Sequence, residues 1–80
     1  MRFTLRGKSY EITKEDIIKA VEGIEPRPIR KYYVEINGEH YPIRQVLSVA
    51  LNIPPASFTT MDAYRILANL GFEVKTKDEY

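Results

Sequence analysis

The stretch at residues 32–51, YYVEINGEHYPIRQVLSVAL, constrains the fold of this chain more than any other part of it. Asn37-Gly38 is the dipeptide best suited to a two-residue type I′ turn, and apolar and polar residues alternate before it. A two-residue loop places Val34 opposite Tyr41 on one face of a hairpin. The sequence therefore predicts a β-hairpin with one buried face.

Pro42 is predicted to end the second strand of this hairpin, because it has no N–H to donate. It is also predicted to begin a helix, because its fixed φ suits the first helical position. Apolar residues then follow at the i, i+3, i+4, i+7 spacing of an amphipathic helix, namely Ile43, Val46, Leu47 and Ala50. The hairpin should therefore run directly into a helix.

Residues near the N-terminus predict a short hairpin or an irregular edge strand, followed by a helix. Thr13 with Asp16 three residues later approximates a capping box, so the helix should begin at Lys14. Gly23 is a natural left-handed stop. The apolar stripe of this helix is Ile17, Ala20, Val21 and Ile24.

A third helix is predicted after the prolines at 54 and 55, with Thr59 and Asp62 as a second capping box. Its apolar stripe is Ala63, Ile66, Leu67 and Leu70. Gly71 followed by Phe72 is typical of a Schellman stop. A last strand should begin at Phe72, and residues 77–80 should be frayed.

These elements predict one α+β domain covering residues 1–80, in which the central hairpin and a C-terminal strand form a small antiparallel sheet packed with three helices. Two helices followed by a strand also suggest a relative of helix-turn-helix or winged-helix domains. About eight residues separate these helices, more than the usual 3–4, so this second interpretation is the less favoured one.

Composition excludes several classes of protein. A chain of 80 residues leaves little room for a deep catalytic cleft. The absence of cysteine excludes disulfides, Cys-ligated zinc and thiol chemistry. Its longest apolar run is far below the roughly 20 residues that span a bilayer, so no membrane association is expected. The first residues lack the apolar region of a signal peptide, which predicts a cytoplasmic protein.

No catalytic constellation is visible, so the sequence predicts a protein that is not an enzyme and that has no cofactor and no metal site. His40 is the only histidine, and the serines lack the sequence context of known nucleophiles. Glu35 opposite His40 could be an acid–base pair. A solvated ion pair across two strands explains the same residues more simply.

Basic residues suggest contacts with phosphate, although the net charge is only +1. Arg27 and Arg30 lie in a proline-containing connector, residues 25–30, and Lys31 follows it. Arg44 and Gln45 lie in the first turn after Pro42, beside unpaired backbone N–H groups that can bind phosphate. The alternative for these two residues is a solvated helix face.

Two further groups of residues could contact bases. Arg65 and Asn69 lie on the exposed side of the third helix, and Arg and Asn read guanine and adenine edges bidentately. Tyr32 and Tyr33 adjoin the basic connector, and aromatic residues there can stack bases. Strand alternation predicts that Tyr32 is buried and that Tyr33 is available.

A longer pattern carries a family resemblance over residues 32–74. A strand and a Gly turn lead into a Tyr-Pro-x-Arg helix start, and an aromatic residue precedes a helix that ends in Leu-Gly-Phe. The matching residues are Gly38, Tyr41, Pro42, Arg44, Phe58, Leu70, Gly71 and Phe72. In these features the chain resembles the N-terminal domain of McrA-like, modification-dependent HNH restriction endonucleases. The resemblance implies a DNA-associated accessory domain, without nuclease activity because the HNH motif is missing.

Two hypotheses of function follow. The first is a non-catalytic DNA-binding domain that contacts phosphates through the connector and the start of the second helix. The second is a protein-interaction or oligomerisation module, with a homodimer or another protein as partner. This alternative would use Tyr33, the Pro54-Pro55 loop and the free edge of the last strand.

Overall fold

The chain begins with a two-stranded antiparallel hairpin, which confirms the first of the two structures expected there. Strand β1 (Arg2–Leu5) pairs with β2 (Lys8–Glu11) in a computed structural model that describes residues 1–77. The turn residues Arg6 and Gly7 have φ of 55° and 76°. A type I′ turn requires positive φ at both of its central residues.

The central hairpin has the predicted register. Strand β3 (Tyr32–Ile36) pairs with β4 (Glu39–Pro42), and Val34 lies opposite Tyr41. The turn is Asn37-Gly38, with φ of 53° and 82°. The turn dipeptide and the apolar alternation therefore identified this hairpin correctly.

The last strand, β5 (Lys75–Thr76), pairs antiparallel with β3, so the sheet order is β4-β3-β5. The pairing was predicted, but the start of the strand at Phe72 was wrong. Phe72 is buried against the helices instead, because its backbone closes the preceding helix. The backbone N–H of Lys77 still donates to the carbonyl of Lys31 at 2.6 Å, and the rest of the stretch predicted to fray, residues 78–80, lies outside the described residues.

The first helix, α1 (Lys14–Ala20), begins at the predicted residue. Thr13 and Asp16 form both hydrogen bonds of a capping box. The helix ends three residues before Gly23, where φ is +76°. The N–H of Ile24 bonds to the carbonyl of the residue three earlier, so tight turns continue the apolar spacing past the end of the helix.

The second helix, α2 (Ile43–Leu51), follows β4 without a linker. Pro42 is its N-cap, with φ −58° and ψ 138°, so the helix begins one residue later than predicted. It ends at Asn52, which has a left-handed φ of 56°. The N–H of Ile53 then donates to the carbonyl of Ser48, which makes this end a Schellman motif with Asn in the usual place of Gly.

The third helix, α3 (Thr60–Asn69), also begins at a capping box, with Thr59 as N-cap. Gly71 has φ +100°, and the N–H of Phe72 donates to the carbonyl of Leu67 at 3.0 Å. This is the predicted Schellman stop. The connection from α2 contains a short 3₁₀ turn (Pro55–Ser57) and is longer than the turn of a helix-turn-helix.

The core lies between the helices and one face of the larger sheet. Helix α2 is central, since it contacts α1, α3, β3, β4 and the 3₁₀ turn. The side chains buried from the three helices are Ile17, Ile43, Val46, Leu47, Ala63, Ile66 and Leu67. The predicted core positions Ala20, Ile24, Ala50 and Leu70 are only half-buried. The apolar stripes thus set the orientation of each helix, and their end residues lie at the rim of the core.

Candidate functional site

A groove of about 900 Å³ lies between the connector, residues 25–30, and the first half of α2. We call it the basic groove. Four cations line it, namely Arg27, Arg30, Lys31 and Arg44, together with one carboxylate, Glu25. Within residues 1–77 none of these four cations forms an ion pair with a carboxylate. Most of their charge is therefore available to an anion in the groove.

Gln45 fixes the connector against α2. Pro26 and Pro28 keep this segment out of regular structure, so its backbone groups need other partners. The side-chain Nε2 of Gln45 donates to the carbonyl of Glu25 at 2.9 Å, and its Oε1 accepts from the N–H of Arg27 at 2.9 Å. The structure thus gives Gln45, which the sequence suggested as a phosphate contact, a role in positioning its basic neighbours.

Arg44 joins α2 to the 3₁₀ turn. Its Nη2 donates to the carbonyl of Pro55 at 2.6 Å, and its Nε is buried without a hydrogen-bond partner in residues 1–77. Because a carbonyl is neutral, this bond positions the guanidinium without cancelling its charge. Arg44 therefore forms part of the wall of the basic groove, in the first turn of α2 as predicted.

Arg65 and Asn69 lie outside the lining of the basic groove, on the exposed side of α3. The Nη2 of Arg65 donates to Oδ1 of Asp62 at 2.9 Å. The pKa of Asp62 is lowered, chiefly because its carboxylate accepts the backbone N–H of Thr59 at the helix N-cap, with Arg65 adding a smaller effect. The structure therefore does not bring the two predicted base readers together with the groove cations.

Tyr33 is buried, with 4% of its surface exposed, so the prediction that it is available for stacking was wrong. Strand β3 is the middle strand of its sheet, and Tyr33 is paired with Pro42 on one side and Lys75 on the other. The ring of His40 also lies 4.8 Å from the ring of Tyr33. Neighbouring strands and His40 thus cover a face that the alternation alone assigned to solvent.

Tyr32 is the aromatic residue that lines the basic groove. It is half-buried, and its ring meets the ring of Tyr64 in an edge-on contact at 5.4 Å. The Nζ of Lys31 lies 5.4 Å from the centre of the Tyr32 ring, within reach of a cation–π interaction. Alternation correctly placed Tyr32 on the core side of β3, but gave no sign that this side opens into a groove.

The remaining polar pair of interest lies across the central hairpin. Nε2 of His40 is 3.5 Å from Oε1 of Glu35, and both side chains are substantially exposed. Neither residue lines the basic groove. Residues 1–77 contain no group of three or more His, Cys, Asp or Glu side chains that could hold a metal ion.

The fold and this groove define a small α+β domain whose proline-containing connector and central helix enclose a cationic cleft. No helix in the described part of the chain is long and apolar enough to cross a membrane. The chain belongs to the SCO5918-like family, whose sequence profile matches residues 1–80. No curated protein and no solved structure matches it. The family match says nothing of McrA-like endonucleases, so that resemblance stays a prediction.

Proposed function

We propose that this protein is a non-catalytic nucleic-acid-binding domain that holds the phosphate backbone of DNA in the basic groove. One observation carries the proposal: Arg27, Arg30, Lys31 and Arg44 share one groove and have no ion pair within residues 1–77. Phosphate contacts from Arg and Lys supply most of the affinity in nucleic-acid binding.

The start of α2 adds to this preference for anions. Pro42, Ile43 and Arg44 line the groove, so the first turn of the helix faces it. Helices commonly carry a capping side chain and acidic residues at this end, whereas α2 has neither. Its unpaired N–H groups and positive dipole end thus add to the field of the cations.

The distribution of charge supports the same site. The chain has nearly balanced charge, +1 in total, so a strong general attraction to polyanions is not expected. Arg2 and Arg65 each lie beside a carboxylate, in Glu11 and Asp62, whereas the groove gathers four cations around the single lining carboxylate Glu25. A polyanion should therefore prefer the groove to the rest of the described surface.

Fluorescence anisotropy of a labelled DNA oligonucleotide tests this proposal. Affinity should fall steeply between about 50 and about 200 mM salt, because phosphate contacts release counterions. Replacing both Arg27 and Arg30 by Glu should weaken binding and flatten the salt dependence. A control with Glu at the exposed Lys8 and Lys19, neither of which lines the groove, carries the same change in net charge. Equal losses in both double variants would refute the site.

A protein-interaction or oligomerisation module is the second candidate. Met61 favours it, because this side chain on α3 is 55% exposed, and β5 is an edge strand of the described sheet. Tyr33 cannot contribute, since it is buried. Sedimentation at several protein concentrations tests this candidate: a dimer that Met61→Lys dissociates would support it, and a monomer throughout would exclude self-association.

A further inference from the structure

We infer that the basic groove accepts a single strand of nucleic acid a few nucleotides long, in preference to a duplex. This inference rests on the function proposed above and adds the class of ligand. It draws on the shape of the groove and on the mixture of residues that line it.

The shape of the groove favours a slender ligand. Its volume of about 900 Å³ lies within the range of cavities that enclose small ligands, roughly 300–1,000 Å³. The whole protein measures only 35 × 23 × 22 Å. A duplex, whose major groove alone is about 12 Å wide, is broad compared with the 22 Å short dimension of the protein, so we expect it to contact only the rim of the groove. An extended single strand can lie inside it.

The cations and apolar residues of the groove are interspersed. Arg27, Arg30 and Lys31 lie along the connector side, and Arg44 lies on α2. The lining also includes Tyr32, Val49 and Pro55, which offer aromatic and apolar surface. A site for duplex phosphates would need only the cations. Proteins that bind single strands combine a cationic groove with aromatic side chains on which bases stack.

Tyr32 is the residue on which this inference is most easily tested. The ring lies in the groove beside the ammonium group of Lys31, as in sites where a base stacks next to a cation. Its edge-on contact with Tyr64 fixes the orientation of the ring from the α3 side. Because the Tyr32 ring is already ordered, stacking a base on it should cost little side-chain entropy.

The chemistry recognised is the same in single-stranded DNA and RNA, because both present bases and a phosphodiester backbone. The test is competition against a labelled oligo(dT) at about 50 mM salt, the low end of the range in which phosphate contacts are strong. The competitors are unlabelled oligo(dT), oligo(U) and a blunt DNA duplex of the same length. The two single strands show whether DNA or RNA is preferred.

Single strands should compete at least about fivefold better than the duplex, and Tyr32→Leu should remove most of that advantage, since stacking one base contributes about fivefold or more. Tyr32→Phe retains the ring and should retain the advantage. Tyr10→Leu, at a half-buried tyrosine of the N-terminal hairpin, is the matched control. The ratio measured with the unaltered protein decides the question even if Tyr32→Leu does not fold.

Three other outcomes would each contradict this inference, in different ways. A duplex that competes as well as the single strands would overturn this inference and leave the proposed function standing. Absence of binding by every nucleic acid at low salt would overturn both. Preference for single strands that survives in Tyr32→Leu would remove Tyr32 as the stacking residue and with it the inference that the groove is the site.

Discussion

The side-chain oxygen of Gln45 accepts a hydrogen bond from the backbone N–H of Arg27 at 2.9 Å, across 18 residues of chain. The amide nitrogen of the same side chain donates to the carbonyl of Glu25. One residue of α2 therefore holds the connector on both sides of Pro26. The position of Arg27 depends on this pair of bonds, because the connector has no regular structure of its own.

Gln45→Ala should loosen the connector while leaving the fold intact. We expect faster hydrogen exchange at the Arg27 amide, a loss of about 1 kcal/mol in the free energy of unfolding, and weaker binding of nucleic acid. Gln45→Glu keeps an acceptor for Arg27 and should preserve the protection of that amide. Unchanged exchange in Gln45→Ala would show that other contacts hold the connector.

Tyr33→Ala should destabilise the protein by about 3 kcal/mol or more, because it removes a buried aromatic ring from the middle strand. Thr4→Ala, at an exposed position of β1, should change the free energy of unfolding by no more than about 0.5 kcal/mol. Urea denaturation measures both. If Tyr33→Ala is as stable as the Thr4→Ala control, the side chain of Tyr33 is exposed rather than buried.

Leu67→Ala and Val46→Ala should each lower the free energy of unfolding by about 1–4 kcal/mol, since both side chains are fully buried. The larger loss should come from Leu67, which gives up more volume. Asn69→Ala is the comparison on α3, where the side chain is exposed and the effect should be small. Negligible losses at both buried positions would mean that the helices present other faces to the core.

Acid should destabilise the protein through its two capping boxes. Bonds from the backbone N–H groups of Thr13 and Thr59 lower the pKa values of Asp16 and Asp62 below 3.8 in the folded state. A lowered pKa stabilises the fold at pH values above 3.8, and this stabilisation is lost as the pH falls through the folded pKa.

Denaturant unfolding midpoints measured at about five pH values, from pH 6 downward, test this dependence of stability on pH. Asp62→Asn removes one of the titrating groups, so the variant should be less stable at neutral pH and should lose less stability on acidification. A variant with the same acid sensitivity as the unaltered protein would show that Asp62 does not contribute to it.

Local patterns were sufficient to predict much of the fold. Asn37-Gly38 specified the turn and thereby the register of β3 and β4. A two-residue loop places Ile36 opposite Glu39, and every other pair of the hairpin follows from that one. The capping boxes that begin at Thr13 and Thr59 specified where α1 and α3 start. The short polar side chain of each Thr accepts a hydrogen bond from a first-turn backbone N–H that has no partner within the helix. Each of these signals acts over a few residues.

The errors arose where distant residues decide the outcome. Tyr33 is buried because His40 and β5 cover it, and β5 pairs with it from 42 residues further along the chain. The site was predicted only in part for the same reason. Basic side chains in the connector and at Arg44 were recognised, but the start of the connector is held against α2 by Gln45, whose bonds reach back 18 and 20 residues. No local pattern signals such a contact.

Occupation of the basic groove by nucleic acid can be observed by titrating the ¹⁵N-labelled protein with oligo(dT) and following its backbone amide resonances. We expect shifts confined to the connector, Lys31, Tyr32 and the first turn of α2, with the amides around Arg65 and Asn69 unchanged. Shifts centred on the exposed side of α3, with the connector unaffected, would contradict it.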